Sequence, residues 1–327
     1  MKRILSIDGG GVRGIIPLVC LVRLETKEGK PSREIFDMLA GTSTGAVIAA
    51  GLAVGVSARG LLALYRELAS QAFQRLPWWK ILLNGGNHRY SNEFIDQTLL
   101  QIGADVPLNS LPVEVMITGK NTQTSRTDFF VADNPGNAGL WGTMSLREAV
   151  LASIAAPTYF PAHTAQVLGQ EHTWVDGGVG VAGNPCYQAA VEALYYTDGE
   201  YRPGEVRMLS FGTGRTAHVI DPQRANAATW VSWVLSELLE DSADWQTYVT
   251  RREYGMTGRV DFRRYQLDLT PDVMSNLGVK VPPGTDLAGI GLDAVWAMDL
   301  LESIGRAFAA RIDFDDPHGL ELESGEV

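Results

Sequence analysis

The segment Gly41-Thr42-Ser43-Thr44-Gly45 places a serine at the centre of a G-x-S-x-G turn. Between a strand and a helix this pattern is a nucleophile elbow: Gly41 and Gly45 let strand and helix approach closely, and Ser43 is held at the apex. A hydroxyl is a weak nucleophile until a base removes its proton. Asp176 is the best base on offer, because it closes the apolar stretch Trp174-Val175 and is followed by Gly177-Gly178. A carboxylate in a confined, partly dry cleft has its pKa raised toward usefulness near neutral pH. Attack on a carbonyl also creates negative charge that must be held. Asp8-Gly9-Gly10-Gly11-Val12-Arg13-Gly14 meets that need, since successive backbone N–H groups at a helix N-terminus form an oxyanion hole.

Each turn has a competing reading. The glycine run contains G-x-G-x-x-G, the phosphate loop of a dinucleotide fold, which calls for an acidic residue about 20 positions further on, at the end of a second strand. Glu25 and Glu28 fall near that distance, but they close a helix before Gly29. A triad would recruit one of His88, His163, His172, His218 and His318; none stands at a glycine-marked strand end, and His218, four residues past Gly214, is the best of them. Cys20 and Cys186 are far apart without ligand spacing, and no acidic cluster suits calcium, so no metal and no cofactor is expected.

The three turns must be brought together by the elements around them, and each follows a predicted strand. Ile4 to Ile7, Phe36 to Ala40 and the run ending at Asp176 are the strands; Ile15 to Glu25 and Ala46 to Val54 are helices behind the first two turns. In an open parallel sheet, loops at the carboxyl ends of strands form the ligand crevice. Val113 to Lys120, Thr127 to Val131 and Val206 to Phe211 are further strands, the last stopping at Gly212-Thr213-Gly214. Helices are expected over residues 57 to 75, from Ser91 to Gln101, from a capping box at Ser145 to Ala155, and from Asn184-Pro185 to Tyr196. This alternation predicts an α/β fold with a mostly parallel sheet covered on both faces. From Ala225 to Tyr254 the pattern is helical and aromatic, and the acidic tail from Asp313 is expected to fray. Residues 1–215 read as the catalytic core, and 216–327 as a mainly helical extension packed on the same domain.

Composition narrows the partners. The chain has 327 residues, 45% hydrophobic and 20% charged, as in an ordinary globular protein. A formal charge of −11 argues against binding a nucleic-acid polymer by neutralising phosphates. No run of 18 apolar residues crosses a bilayer, and Asp8 ends the first apolar stretch too early for a signal peptide, so a cytoplasmic protein is expected.

Together, DGGGVRG at 8–14, GTSTG at 41–45 and DGG at 176–178, with AAPTYFPA at 155–162, resemble the patatin-like phospholipase family over residues 3 to 215. The motifs stand in the family's order, without departure at the catalytic positions. The resemblance implies a Ser43–Asp176 dyad without a catalytic histidine, an oxyanion hole from the amides of Gly9, Gly10, Gly11 and Val12, and a three-layer α/β/α sandwich around a six-stranded sheet. Gly14, Gly41, Gly45, Gly177 and Gly178 would support these turns, while Arg13 either braces the glycine loop, meets an anionic head group or makes an ordinary salt bridge. The implied activity is phospholipase A-type hydrolysis of a phospholipid or other acyl lipid through an acyl-enzyme. A soluble-ester or lysophospholipid hydrolase and an acyl transferase are alternatives of the same chemistry. Some bacterial members are antiphage effectors switched on by cyclic nucleotides, which adds a cyclic-nucleotide activator as a partner to test, although no nucleotide-binding motif marks a site for one. Trp78, Trp79, Lys80, Ile81, Leu82 and Leu83 form either a membrane-docking segment, which would make the protein peripheral, or part of the core.

Overall fold

The computed structural model describes the chain except residues 84, 86, 217–219, 326 and 327, and the side chains of Leu82, Ala228 and Ser232. In chain order the first elements are β1 (Lys2–Ile7), α1 (Ile15–Glu28), α2 (Ser32–Ile35), β2 (Met38–Gly41), α3 (Thr44–Ala53), α4 (Ala58–Ala72), α5 (Trp78–Leu83) and α6 (Glu93–Gln101). β3 (Glu114–Asn121), β4 (Thr127–Phe130), α7 (Leu146–Ser153), β5 (His163–Val167), β6 (Gln170–Asp176) and α8 (Cys186–Val191) follow. The chain continues through β7 (Val206–Phe211), α9 (Ala227–Thr250), β8 (Asp261–Leu267), α10 (Pro271–Leu277), α11 (Met298–Arg311) and β9 (Gly319–Leu322).

Alternate side chains of β1 enter two different cores, as the two-residue period of a strand requires. Leu5 and Ile7 join α1, α3, α4 and α11 on one face; Ile4 meets Cys186, Ala189 and Ala190 of α8 on the other. A strand buried on both sides must be apolar throughout. Ser6, the exception, donates its hydroxyl to Asn184 Oδ1 at 2.8 Å. The result is the expected three-layer α/β/α sandwich, and both cysteines are buried in it.

Among the described residues the sheet has nine strands, not six. Its order is β5-β6-β3-β2-β1-β7-β8-β9, with β4 also on β3. β3, β2, β1, β7, β8 and β9 run parallel; β4, β5 and β6 add an antiparallel corner. The region beyond residue 215 is therefore not only helical, since it supplies β8 beside β7 and then β9. β8 is hidden in the sequence by Arg263 and Arg264, whose charges are neutralised by Asp261 and by Asp8 respectively. As far as Ser324 the acidic tail is tied down rather than frayed: β9 pairs with β8, Arg251 meets Glu321, and Ser324 donates its N–H to Asp268 at 2.8 Å.

Register gathers the glycine turns. Ile7 lies opposite Gly41, and Gly41 opposite Ile117, so the residues just beyond, Asp8, Thr42 and Thr118, stand in one row. The third turn arrives by another route than a parallel strand end. β3 overshoots the row, β6 returns antiparallel along the overshoot, and it stops with Asp176 paired to Gly119.

Candidate active site

Ser43 sits at φ 53°, ψ −119°, a backbone conformation that L-residues avoid. The elbow is tight enough that a methyl on Gly45 would run into the Ile7 carbonyl, and one on Gly41 into the backbone of Gly45. Around it, the Ser43 N–H donates to Ser153 Oγ of α7 at 2.9 Å, and Thr42 Oγ1 donates to the Ala182 carbonyl at 2.6 Å. The apex is thus held from both sides.

Asp176 is 4% exposed, and its carboxylate interacts with the Ser43 side chain. Its Oδ1 accepts from the Gly178 N–H at 2.8 Å, and its own N–H donates to the Ala155 carbonyl at 3.0 Å. Burial pushes the Asp176 carboxyl up to about 6, although the interaction with Ser43 and the Gly178 N–H pull the other way. Gly177 and Gly178 are needed because Thr118 and Leu239 occupy the space where their side chains would be.

The glycine loop is aimed by its carbonyls. Thr213 Oγ1 donates to the Gly9 carbonyl at 2.8 Å, and the Arg13 N–H donates to the Gly10 carbonyl at 3.1 Å, with Arg13 Nε at 3.4 Å. A trans peptide points its N–H opposite its C=O, so these bonds orient the amides of Gly10 and Gly11 the other way. Among the described residues those two amides have no backbone or side-chain acceptor. The other two expected oxyanion donors are occupied: Gly9 N–H donates to the Gly183 carbonyl and Val12 N–H to the Leu292 carbonyl, each at 2.9 Å. A Cβ on Gly10 would lie 2.1 Å from Thr213 Oγ1. Gly10→Ala is therefore expected to lower kcat on a soluble ester about a hundredfold with little change in KM.

Arg13 braces this loop from the interior. It is buried, and its Nη1 donates to Glu240 Oε1 of α9 at 2.7 Å and to Thr216 Oγ1 at 3.1 Å. Asp8 is locked by Arg264 of β8 through two bonds of 2.7 and 2.5 Å. Gly14 lies against Thr44 and Tyr65, whose hydroxyls share a hydrogen bond. Beside Ser43 opens a narrow apolar pocket of about 50 Å³, lined by Val47, Leu68, Ala69, Ala72, Phe160 and Leu292.

Most of the rival residues are employed elsewhere. Glu25 accepts from the Ser32 and Ala58 N–H groups, and Glu28 pairs with Arg3. His163 pairs with Glu148, His172 stacks on Trp174, and His318 is exposed; His218 lies outside the described residues. Ser153, Gly183, Thr213, Leu239, Glu240 and Leu292 shape the site without having been marked by sequence. Only Thr213 had a signal, the glycines on either side of it.

Residues 5–190 match the family model described as Patatin-like phospholipase. The chain belongs to the patatin-like phospholipase family. Members of this family are hydrolases of lipid esters. The chain is 30% identical over 243 residues to a cGAMP-activated phospholipase of Escherichia coli (strain TW11681), covering 71% of this chain and 67% of that protein. It is 31% identical over 238 residues to the Vibrio cholerae protein of the same name, covering 67% and 66%, and 28% identical over 265 residues to Patatin-17 of Solanum cardiophyllum, covering 72% and 67%. The matches thus span about two thirds of these relatives. Among solved structures, VipD from Legionella pneumophila aligns with 93% of this chain and 67% of that one at 14% identity and a TM-score of 0.39, so the family assignment rests on sequence. In this patatin-like phospholipase the matched segment contains Ser43, Asp176 and the glycine loop; Thr213, Leu239, Glu240 and Arg264 come from beyond it.

Proposed function

We propose that this patatin-like phospholipase cleaves fatty-acyl esters through a Ser43–Asp176 dyad. The observation that carries the reading is the buried Asp176 carboxylate interacting with the side chain of Ser43, which itself lines an apolar pocket. Asp176 accepts the hydroxyl proton as Ser43 Oγ attacks the ester carbonyl, and the N–H groups of Gly10 and Gly11 hold the resulting oxyanion. The proton passes to the departing alcohol, leaving the acyl group on Ser43. Water then gives a proton to Asp176 and attacks the acyl-enzyme, and the fatty acid leaves as the proton returns to Ser43. Treating the wild-type protein with a fluorophosphonate and mapping the adduct by peptide mass spectrometry tests this: the label is expected on Ser43. A folded protein labelled elsewhere, or not at all, would count against the dyad.

Substrate arrives from a membrane surface in this reading. α5 stands clear of the core, with Trp78 74%, Trp79 48% and Leu83 80% exposed. No described helix is long and apolar enough to cross a bilayer, so contact would be peripheral. Trp78→Ala with Trp79→Ala is expected to reduce fatty-acid release from phospholipid vesicles about tenfold while a dissolved short-chain ester is turned over as before. Equal loss on both substrates would assign the tryptophans to packing.

Activation by a cyclic nucleotide is a second reading, favoured by three relatives named cGAMP-activated phospholipases. Fatty-acid release with and without cGAMP tests it, and identical rates would remove it.

A further inference from the structure

α9 crosses the catalytic centre from outside the segment that carries the family motifs. Its Leu239 is almost fully buried and directs Cδ1 into the space between the two glycine loops. A Cβ built on Gly9 would lie 3.0 Å from that methyl, and one on Gly178 only 2.0 Å from it. The same virtual Cβ on Gly9 is 3.3 Å from Ser43 Cβ, and that on Gly178 is 3.2 Å from Asp176 Oδ1. One methyl group therefore borders the same two glycines as both halves of the dyad. The helix is pinned around it: Glu240 grips Arg13, Ser242 Oγ accepts from the Gly183 N–H at 2.9 Å, and Gln246 Nε2 donates to the Val181 carbonyl at 2.6 Å.

No charge competes with this methyl at Asp176. The neighbouring ionised groups are spoken for: Asp8 of the glycine loop with Arg264 of β8, Arg13 with Glu240 of α9, and Asp244 of α9 near Arg215 at 3.6 Å. The polar groups that reach the carboxylate are the Ser43 hydroxyl and the Gly178 N–H, and among the described residues no charged group contributes there.

We propose that Leu239 is a positioning residue of the dyad, its isobutyl group filling the gap between Gly9 and Gly178 so that water is kept off Asp176 and the Ser43–Asp176 contact stays dry. This role rests on Asp176 being the base. Removing the methyl groups admits water, restores solvation of the carboxylate and returns it toward the usual aspartate range.

The test is the pH dependence of kcat/KM on a soluble ester for the wild type and for Leu239→Ala, Leu239→Val and Leu239→Met. The wild-type acid limb is expected near pH 6, where the Asp176 carboxyl ionises. Leu239→Ala should move that midpoint down by about one pH unit and lower the plateau severalfold. Leu239→Val should fall between, which keeps the series decisive if the alanine variant does not fold. Leu239→Met, refilling the space, should restore the wild-type midpoint. Variants that lose activity with an unmoved midpoint would overturn the role of Leu239 and leave the dyad standing. A wild type without an acid limb between about pH 5 and pH 7 would overturn the dyad and this role together.

Discussion

Ser43→Gly is expected to abolish ester hydrolysis and, at the same time, to raise the melting temperature. The loss of activity follows from removing the only atom that forms the acyl-enzyme. The gain follows from φ 53°, ψ −119°, which a serine holds at a cost of about 1–3 kcal/mol and a glycine holds freely. Glycine gives back part of this gain, about 1 kcal/mol, through the greater freedom of its unfolded chain. The neighbours need not change, since Ser153 Oγ bonds the backbone N–H of residue 43 and not its side chain. Ser43→Ala supplies the contrast: equally inactive, but still strained, and so without the full gain. Differential scanning calorimetry on the three proteins should show glycine a few degrees above alanine. Equal or lower melting for glycine would mean that the elbow is not under strain.

Asp176→Asn is expected to lower kcat by about three to four orders of magnitude, because an amide accepts no proton. Its effect on stability depends on pH, with a definite sign. The carboxyl ionises near 6 in the folded protein against 3.8 when unperturbed, so between these values the folded state holds the proton that the unfolded state has released. Stability therefore falls as pH rises from about 4 to about 6 and stays lowered above that range, by about 3 kcal/mol for a shift of this size. Asparagine keeps an oxygen for the Gly178 N–H and never ionises. The variant should melt above the wild type at pH 8, with the advantage shrinking as the pH approaches 4. An advantage independent of pH would mean that Asp176 is not ionised against its surroundings. In both substitutions the side chain that the proposed dyad relies on is one the fold would hold more easily without.

The turns were legible in the sequence because their chemistry is local. Gly41 and Gly45 flank a strained serine, and a glycine run can serve few purposes other than exposing amides. Strands buried on both faces, such as Ile4 to Ile7, announce themselves by near-continuous apolarity, Ser6 aside. What could not be read depends on distant partners. Gly9 and Val12 look as able to bind an oxyanion as Gly10 and Gly11 until the carbonyls of Gly183 and Leu292 arrive to occupy them. Arg13 had three open roles because its partner, Glu240, lies 227 residues downstream. β8 failed the apolar test since Arg264 is made tolerable in the interior by an aspartate from the other end of the chain. β9 carries a glutamate, Glu321, that suits an edge strand and a frayed tail equally well.

The bond between Asp8 and Arg264 spans 256 residues and has a consequence for how the protein is made. A chain leaves the ribosome from its N-terminus, so Ser43 and Asp176 are both synthesised well before the arginine that anchors the glycine loop between them. Until β8 emerges and pairs with β7, Asp8 lacks its Arg264 counter-charge, Arg13 has its α9 partner only just in place, and the glycine loop lacks that anchor. The glycine loop of the proposed dyad thus gains its anchor only after the 256 residues separating Asp8 from Arg264 have been made.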